Sequence, residues 1–354
     1  MKKYLVLLSV VIALVFIATQ APAAERIVLR LANQWPVNNF MNREDGHLER
    51  WGRELQEATN GQVVLEIYAD NSLAAAYDNY DAVVNGIADI GIVPYAYWAG
   101  RFPIVEAFCL PGVAGFNSAA SAGYAINEAI DTLDPDELKD THHMFTFSTG
   151  PNALLSNVPI RTLEDLQGLS LGVTQAERAR ALQLLGAVPI SLTSPEWYEA
   201  IQRNLMVGGI MGYEALRGMR FYEVTGDYIT NSALFASQMF YCVMNKDTYE
   251  RLPQSAKDFF AIRPDYILRA WDVGVIETIQ FVTDRKEIEL IYLTDEETAR
   301  WRERIAPIAS GNIQSLNARG IDGEALHAYI HELEEKYNAL YDLDLRERIR
   351  ELYN

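Results

Sequence analysis

The hydrophobic pattern of this chain switches repeatedly between a period of two and a period near 3.6, and few folds accommodate that alternation. Arg26-Ile-Val-Leu-Arg-Leu-Ala32 alternates polar and apolar residues, as a half-buried strand does. Over residues 42–58 the apolar positions Leu48, Trp51 and Leu55 recur at helical spacing, and Asn60-Gly61 supplies a stop. Residues 63–68 read as a second strand, 79–86 as a helix and 88–93 as a third strand. This run predicts an α/β domain with a largely parallel sheet. Gly150-Pro151 marks a break. Beyond it the logic repeats, with strands over 169–173, 188–192 and 207–211 and helices over 176–185 and 194–203. A helical stretch then runs from Gln254 to about Glu289, broken or kinked near Pro264, and the C-terminal third is helical and charged. A chain of 354 residues holds two domains of roughly 100–200 residues each.

Charge narrows the partners. Lys and Arg number 30 against 48 Asp and Glu, a formal net charge of -18. A nucleic-acid binder needs a basic footprint, and anionic lipid attracts basic surfaces, so both are disfavoured. An anionic small ligand is not excluded, because one local pocket can oppose the global field. The N-terminus has the layout of a secretory signal peptide over residues 1–24: Lys2 and Lys3, an apolar run over 4–17, then Ala21-Pro22-Ala23. The apolar run is short against the roughly 20 residues that span a bilayer. The expectation is a cleaved leader and a soluble exported protein, periplasmic in a bacterium with two membranes. Cys109 and Cys242 both sit in apolar segments and are expected as buried free thiols.

Two α/β domains in an exported chain suggest a cleft between two sheets that closes on a ligand. Several segments carry a more specific resemblance. Gly86-Ile-Ala-Asp89-Ile-Gly, Gly100-Arg-Phe-Pro103 and Leu110-Pro111 resemble a first-domain signature. Leu163-Glu-Asp165-Leu-Gln-Gly168-Leu is similar to a "D-L-K-G-L" step into a second domain. Trp197-Tyr198-Glu-Ala200-Ile-Gln202, followed by Phe221-Tyr222-Glu223-Val224, resembles "Y-x-A-L-Q … F-Y-E-V". Leu252-Pro253 and the long helix after it also fit. In order and spacing these resemble the solute-binding subunit of tripartite ATP-independent periplasmic (TRAP) transporters, the DctP-like family. The resemblance implies a periplasmic binding protein-like fold, with crossing strands and a long helix beneath both domains. It divides the chain into 25–148 plus about 237–275, and 149–236 plus about 276–354. It further implies a monomer that captures one solute by domain closure and hands it to integral-membrane TRAP permease subunits, without catalysis, cofactor or metal.

The residues that hold the solute in this family are altered here. The resemblance implies an Arg in the strand after "D-L-K-G-L", a fork suited to a carboxylate. That position is Gly172. A second family Arg falls on Asn152, and the Asp and Asn of "V-D-G-x-x-N" fall on Val207 and Met211. Smaller and more apolar residues replace the clamp. Aromatic residues surround the loops that would build the cleft: Trp35, Tyr95, Tyr97, Trp98 and Tyr213. The expectation is therefore an aromatic or weakly charged solute, stacked on those rings and hydrogen-bonded by Asn152, Thr174, Gln175 or Gln238, with Gly172 and Met211 in the lining. An alternative is an aliphatic carboxylate read by a relocated Arg, from Arg178, Arg180 or Arg217, each of which also reads as a solvated helix-face residue. Another is an exported binding protein that feeds a membrane sensor.

An enzyme is disfavoured. His327 and His331 lie four apart on a helical stretch without a His-Glu-x-x-His acid, and His142-His143 lacks a ligating neighbourhood. The chain has no phosphate loop.

Overall fold

The structure, a computed structural model, describes residues 26–232 and 234–353. The segment read as a signal peptide lies outside the described residues. Eleven strands are present among them: β1 (Ile27–Asn33), β2 (Val63–Tyr68), β3 (Ile90–Pro94), β4 (His142–Ser148), β5 (Asn152–Ser156), β6 (Ser170–Val173), β7 (Val188–Ser191), β8 (Gly208–Gly212), β9 (Tyr228–Asn231), β10 (Met239–Met244) and β11 (Glu289–Tyr292). They form two sheets, ordered β2-β1-β3-β10-β4 and β11-β9-β5-β8-β6-β7. β1 is parallel to β2 and β3, while β10 is antiparallel to both β3 and β4. In the second sheet β5 is antiparallel to β8 and β9, and the other pairs are parallel. Each sheet is thus parallel except for one strand that enters from the opposite end. The chain changes sheets three times, between Ser148 and Asn152, between Asn231 and Met239, and between Met244 and Glu289.

Local sequence accounts for most boundaries. β3 is buried along its whole length, as expected of a strand flanked on both edges and covered on both faces. The helix Ala119–Leu133 starts with a capping box between Ser118 and Ser121 and stops at Asp134, whose φ is 41°. The helix Ala176–Leu185 ends at Gly186, φ 97°. The helical stretch after Gln254 is three helices, Gln254–Phe260, Asp265–Leu268 and Ala270–Thr283, interrupted where Pro264 removes a donor. Asp272 then accepts hydrogen bonds from Ala119 N (2.6 Å) and Ala120 N (3.0 Å), tying the third helix to the start of Ala119–Leu133.

One helix starts later than its periodicity suggests. It spans His47–Ala58 rather than beginning at Asn42. Side chains organise residues 34–46 instead: Asn42 Nδ2 donates to Asn33 Oδ1 and to the carbonyl of Trp35, and Asn39 Oδ1 accepts from Met41 N.

The helices Asp295–Ile305, Pro307–Ala318 and Gly323–Leu340 lie across both sheets. Trp301, Ile305, Ile308, Leu316 and Leu333 share one buried cluster with Phe108 and Ile126 on one side and Leu171 and Leu182 on the other. Cys109 and Cys242 are buried free thiols. Among the described residues no helix is long and apolar enough to cross a membrane.

Candidate functional site

In both sheets the strands that run parallel end toward the gap between the sheets. The loops 34–39, 95–99, 174–175, 193–196 and 212–214, with the crossing segment 234–238, therefore line one interdomain cleft. The cleft contains two cavities. A larger one, about 520 Å³, lies between Ala96–Leu110, the start of the helix Ala176–Leu185, and the helix Pro307–Ala318. Cys109, Leu110 and Gln175 line it, with Ile308 and Leu316 supplying apolar wall and Glu106, Arg180 and Arg319 charge. A smaller one, about 10 Å³, is walled by Trp35, Asn39, Phe240 and Gln238 from the first sheet and by Ser194, Met211 and Glu214 from the second.

Arg178 is the most unusual residue of the region. It is 0% exposed, and its Nη2 donates to the carbonyl of Ala236 at 2.7 Å. Its Nε and Nη1 are buried without a partner. No carboxylate pairs with it among the described residues, and burial lowers its pKa to about 10. The adjacent Cys109 thiol offers no compensating charge, because burial pushes it up to about 11. Asn152 donates to the same Ala236 carbonyl at 2.6 Å. The Arg178 guanidinium and the Asn152 amide thus lie side by side on one carbonyl. Gln175 Oε1 and Ser237 Oγ, also near this segment, are buried and unpartnered too.

Gly172 does not open into this space. A Cβ there would meet Trp197 Cζ2 at 2.8 Å and Met206 Sδ at 2.9 Å, and Gly209 is covered by the same indole. Trp197, 1% exposed, occupies the room a longer residue would need. Thr174 accepts from Gln238 Nε2 at 3.5 Å, a bond that joins the two sides. Met211 lines the small cavity and receives the Ser194 hydroxyl on its sulfur at 3.9 Å. Trp35 also lines it, packed on Phe240 and Trp271.

The other aromatics take different places. Tyr95 is 1% exposed, its hydroxyl on Thr146 and its ring between Phe102 and Tyr241. Trp98 packs on Tyr80 and Tyr241. Tyr213 is 0% exposed and bonds Asn231. None of these three lines either cavity. Tyr97 is buried as well, but it donates to Gln34 at 2.6 Å and so fixes a residue of the small cavity. Arg180 is exposed at the rim of the large cavity, and Arg217 lies over Phe281 with Glu277 at 4.0 Å.

Glu214 was not legible as a site residue. Its carboxyl folds back over Gly212, Oε2 is buried without a partner, and burial pushes its pKa up to about 7. The indole N–H of Trp271 lies near enough to favour the ionised form, yet makes no hydrogen bond. Between about pH 4.5 and 7 the folded protein holds this proton after the unfolded chain has released it, so stability falls as pH rises through that window. The neutral amide of Glu214→Gln removes the effect. In urea titrations the variant should match the wild type near pH 4.5 and exceed it by about 2–3 kcal/mol at pH 8. A difference independent of pH would mean that the carboxyl is solvated.

Residues 39–314 match the family model described as bacterial extracellular solute-binding protein, family 7. An uncharacterized protein of Salmonella typhimurium, YiiZ, is 26% identical over 216 residues, 57% of this chain and 61% of that protein; the alignment thus spans less than two thirds of this relative's length. A TRAP periplasmic solute-binding protein of Desulfovibrio salexigens, solved as an open complex, has a TM-score of 0.76 at 28% identity, covering 88% of this chain and 96% of that one. A marine-metagenome TRAP solute-binding protein, specific for aromatic acid ligands and solved with 3-hydroxybenzoate, has a TM-score of 0.82 at 24% identity, covering 89% and 99%. With two sheets that exchange strands around a cleft, and a family model spanning most of its length, the chain belongs to family 7 of the bacterial extracellular solute-binding proteins, the DctP family.

Proposed function

We propose that this protein captures a small carboxylic acid with a ring or other apolar body in the cleft between its two sheets. Arg178 supplies the positive charge that the family's usual positions lack. The observation that carries the reading is the buried guanidinium with two unpartnered N–H groups. An unpaired buried charge costs several kcal/mol, and a bidentate carboxylate is the partner its fork fits. The apolar wall of the large cavity suits a ring, and the marine-metagenome relative is described as specific for aromatic acids. Trp35, Asn152, Thr174, Gln175, Met211 and Gln238 are the contacts we assign from the sequence reading, with Gly172, Tyr95, Trp98 and Tyr213 serving packing.

Binding is a closure, not a reaction. The units divide near residues 148, 236 and 275, and a solute that touches both biases the open–closed equilibrium. The monomeric protein then docks on TRAP permease subunits after export by its N-terminal 24 residues. The test is a thermal-shift screen that pairs aromatic with aliphatic mono- and dicarboxylates, followed by small-angle scattering. An acid at a hundred times its Kd should add about 2.7 kcal/mol of stability. The radius of gyration should shrink on saturation. Stabilisation only by uncharged solutes would overturn the acid, and an unchanged radius would overturn closure.

A further inference from the structure

At the small cavity of the cleft, and just behind its wall, lie two unpartnered hydrogen-bonding groups of opposite kinds. Glu214 Oε2 is an acceptor, buried and unpartnered; Trp271 Nε1 is a donor, on a residue 0% exposed, and also unpartnered. A carboxylate accepts only and an indole N–H donates only. They come from different parts of the fold, Glu214 from the loop after β8 and Trp271 from the helix Ala270–Thr283 packed on the first sheet. Trp271 stands behind the cavity wall: it stacks on Phe240 and touches Trp35, both lining residues, and its indole N–H lies beside the carboxyl of Glu214, which also lines the cavity.

We propose that Glu214 and Trp271 together read a hydroxyl group on the bound solute, so that the protein selects hydroxy acids over the parent acids. The inference rests on the acid reading above and adds a second, independent contact. A hydroxyl is the small group that donates to a carboxylate while it accepts from an N–H. An ammonium has no lone pair for the indole, and a methyl or halogen has no proton for the carboxylate. A cavity of about 10 Å³ has room for roughly one oxygen atom. No Lys or Arg lines it. Arg178 and Glu214 are linked through Asn152, which shares the Ala236 carbonyl with Arg178 and pairs across the sheet with Gly212, the residue beneath the Glu214 carboxyl. A solute held at both points therefore presents its carboxylate and its hydroxyl from different sides of one ring or short chain.

The test compares matched acids by calorimetry at pH 8: benzoate with 3-hydroxybenzoate and 3-(aminomethyl)benzoate, and phenylacetate with 3-hydroxyphenylacetate. In the wild type the hydroxy member of at least one pair should bind tenfold or more tightly than its parent, and the ammonium derivative no better than the parent. In Glu214→Leu the hydroxyl-to-parent ratio should fall to within about twofold. Trp271→Phe, which removes the N–H and keeps an aromatic ring, is the second variant should Glu214→Leu not fold, and it should lower the same ratio. Arg178→Met should weaken every acid and leave the ratio standing. Acids that bind the wild type without hydroxyl preference, or a preference that survives both Glu214→Leu and Trp271→Phe, would overturn this inference and leave the acid reading intact. No binding of any acid by the wild type would overturn both.

Discussion

Arg178→Met should make the unliganded protein more stable and its binding of acids far weaker. The two effects have one cause. The guanidinium is buried with a single hydrogen bond, to the Ala236 carbonyl, and no opposing charge among the described residues. Methionine fills a similar volume and leaves no charge to desolvate. With the pKa held near 10, the strain at neutral pH corresponds to about 3 kcal/mol. Subtracting the lost hydrogen bond and stem packing leaves a gain of about 1–2 kcal/mol. A carboxylate, however, loses a charge-assisted bidentate partner in a site that excludes water, about 3–4 kcal/mol or 10²–10³ in Kd. The measurement is a chemical melt without ligand and a calorimetric titration with the best acid. A variant less stable and equally tight for acids would show that Arg178 only anchors the crossing segment. Arg178→Lys discriminates further, since it keeps the charge and loses the fork.

Gly172→Arg, which places an arginine where the family resemblance implies one, should not create a clamp. The new side chain would start inside contact distance of Trp197 and Met206, in an apolar cluster with Phe221 and Ile201. Overpacking costs about 1–3 kcal/mol and a charge among those side chains several more. The expected result is a loss of about 4 kcal/mol or more, read as insoluble protein or a midpoint lowered by roughly 10 °C. Trp197→Ala alone should cost about 3–5 kcal/mol through its cavity. Combined, the two changes should cost about 2 kcal/mol less than their sum, because the truncated residue makes the room the arginine needs. Strict additivity would show that Trp197 is not what excludes a side chain at 172.

The sequence and the structure agree where local physics decides. β2 begins and ends where its alternation does, at Val63 and Tyr68, and the helix Ala176–Leu185 has the bounds its stop glycine implies. They part where distant segments decide. Tyr95 and Trp98 follow a strand, as cleft residues do, but Phe102, Tyr80 and Tyr241 close around them. Nothing in their own segment announces that cover. That position 172 holds a glycine is read directly from the sequence; that an indole twenty-five positions on fills the space beside it is not. Arg178 carried a signal that was available. It falls in register with Ala181, Leu182 and Leu185, the buried stripe of its helix, and a charged residue on such a stripe has to be explained. Glu214 had no such signal, since its burial depends on units far apart in the chain meeting across the cleft.

The order of strands in the first sheet has a consequence for how the molecule is made. β4 has only β10 as a neighbour, and β10 also completes the outer edge of β3. A nascent chain that has left the ribosome through residue 236 carries four strands of that sheet without the one that joins them. The first sheet therefore cannot be completed until every strand of the second except β11 has been made, although it comes first in the sequence. In any partly emerged chain the first sheet stays open at β3 and β4 until the residues up to Met244 are free.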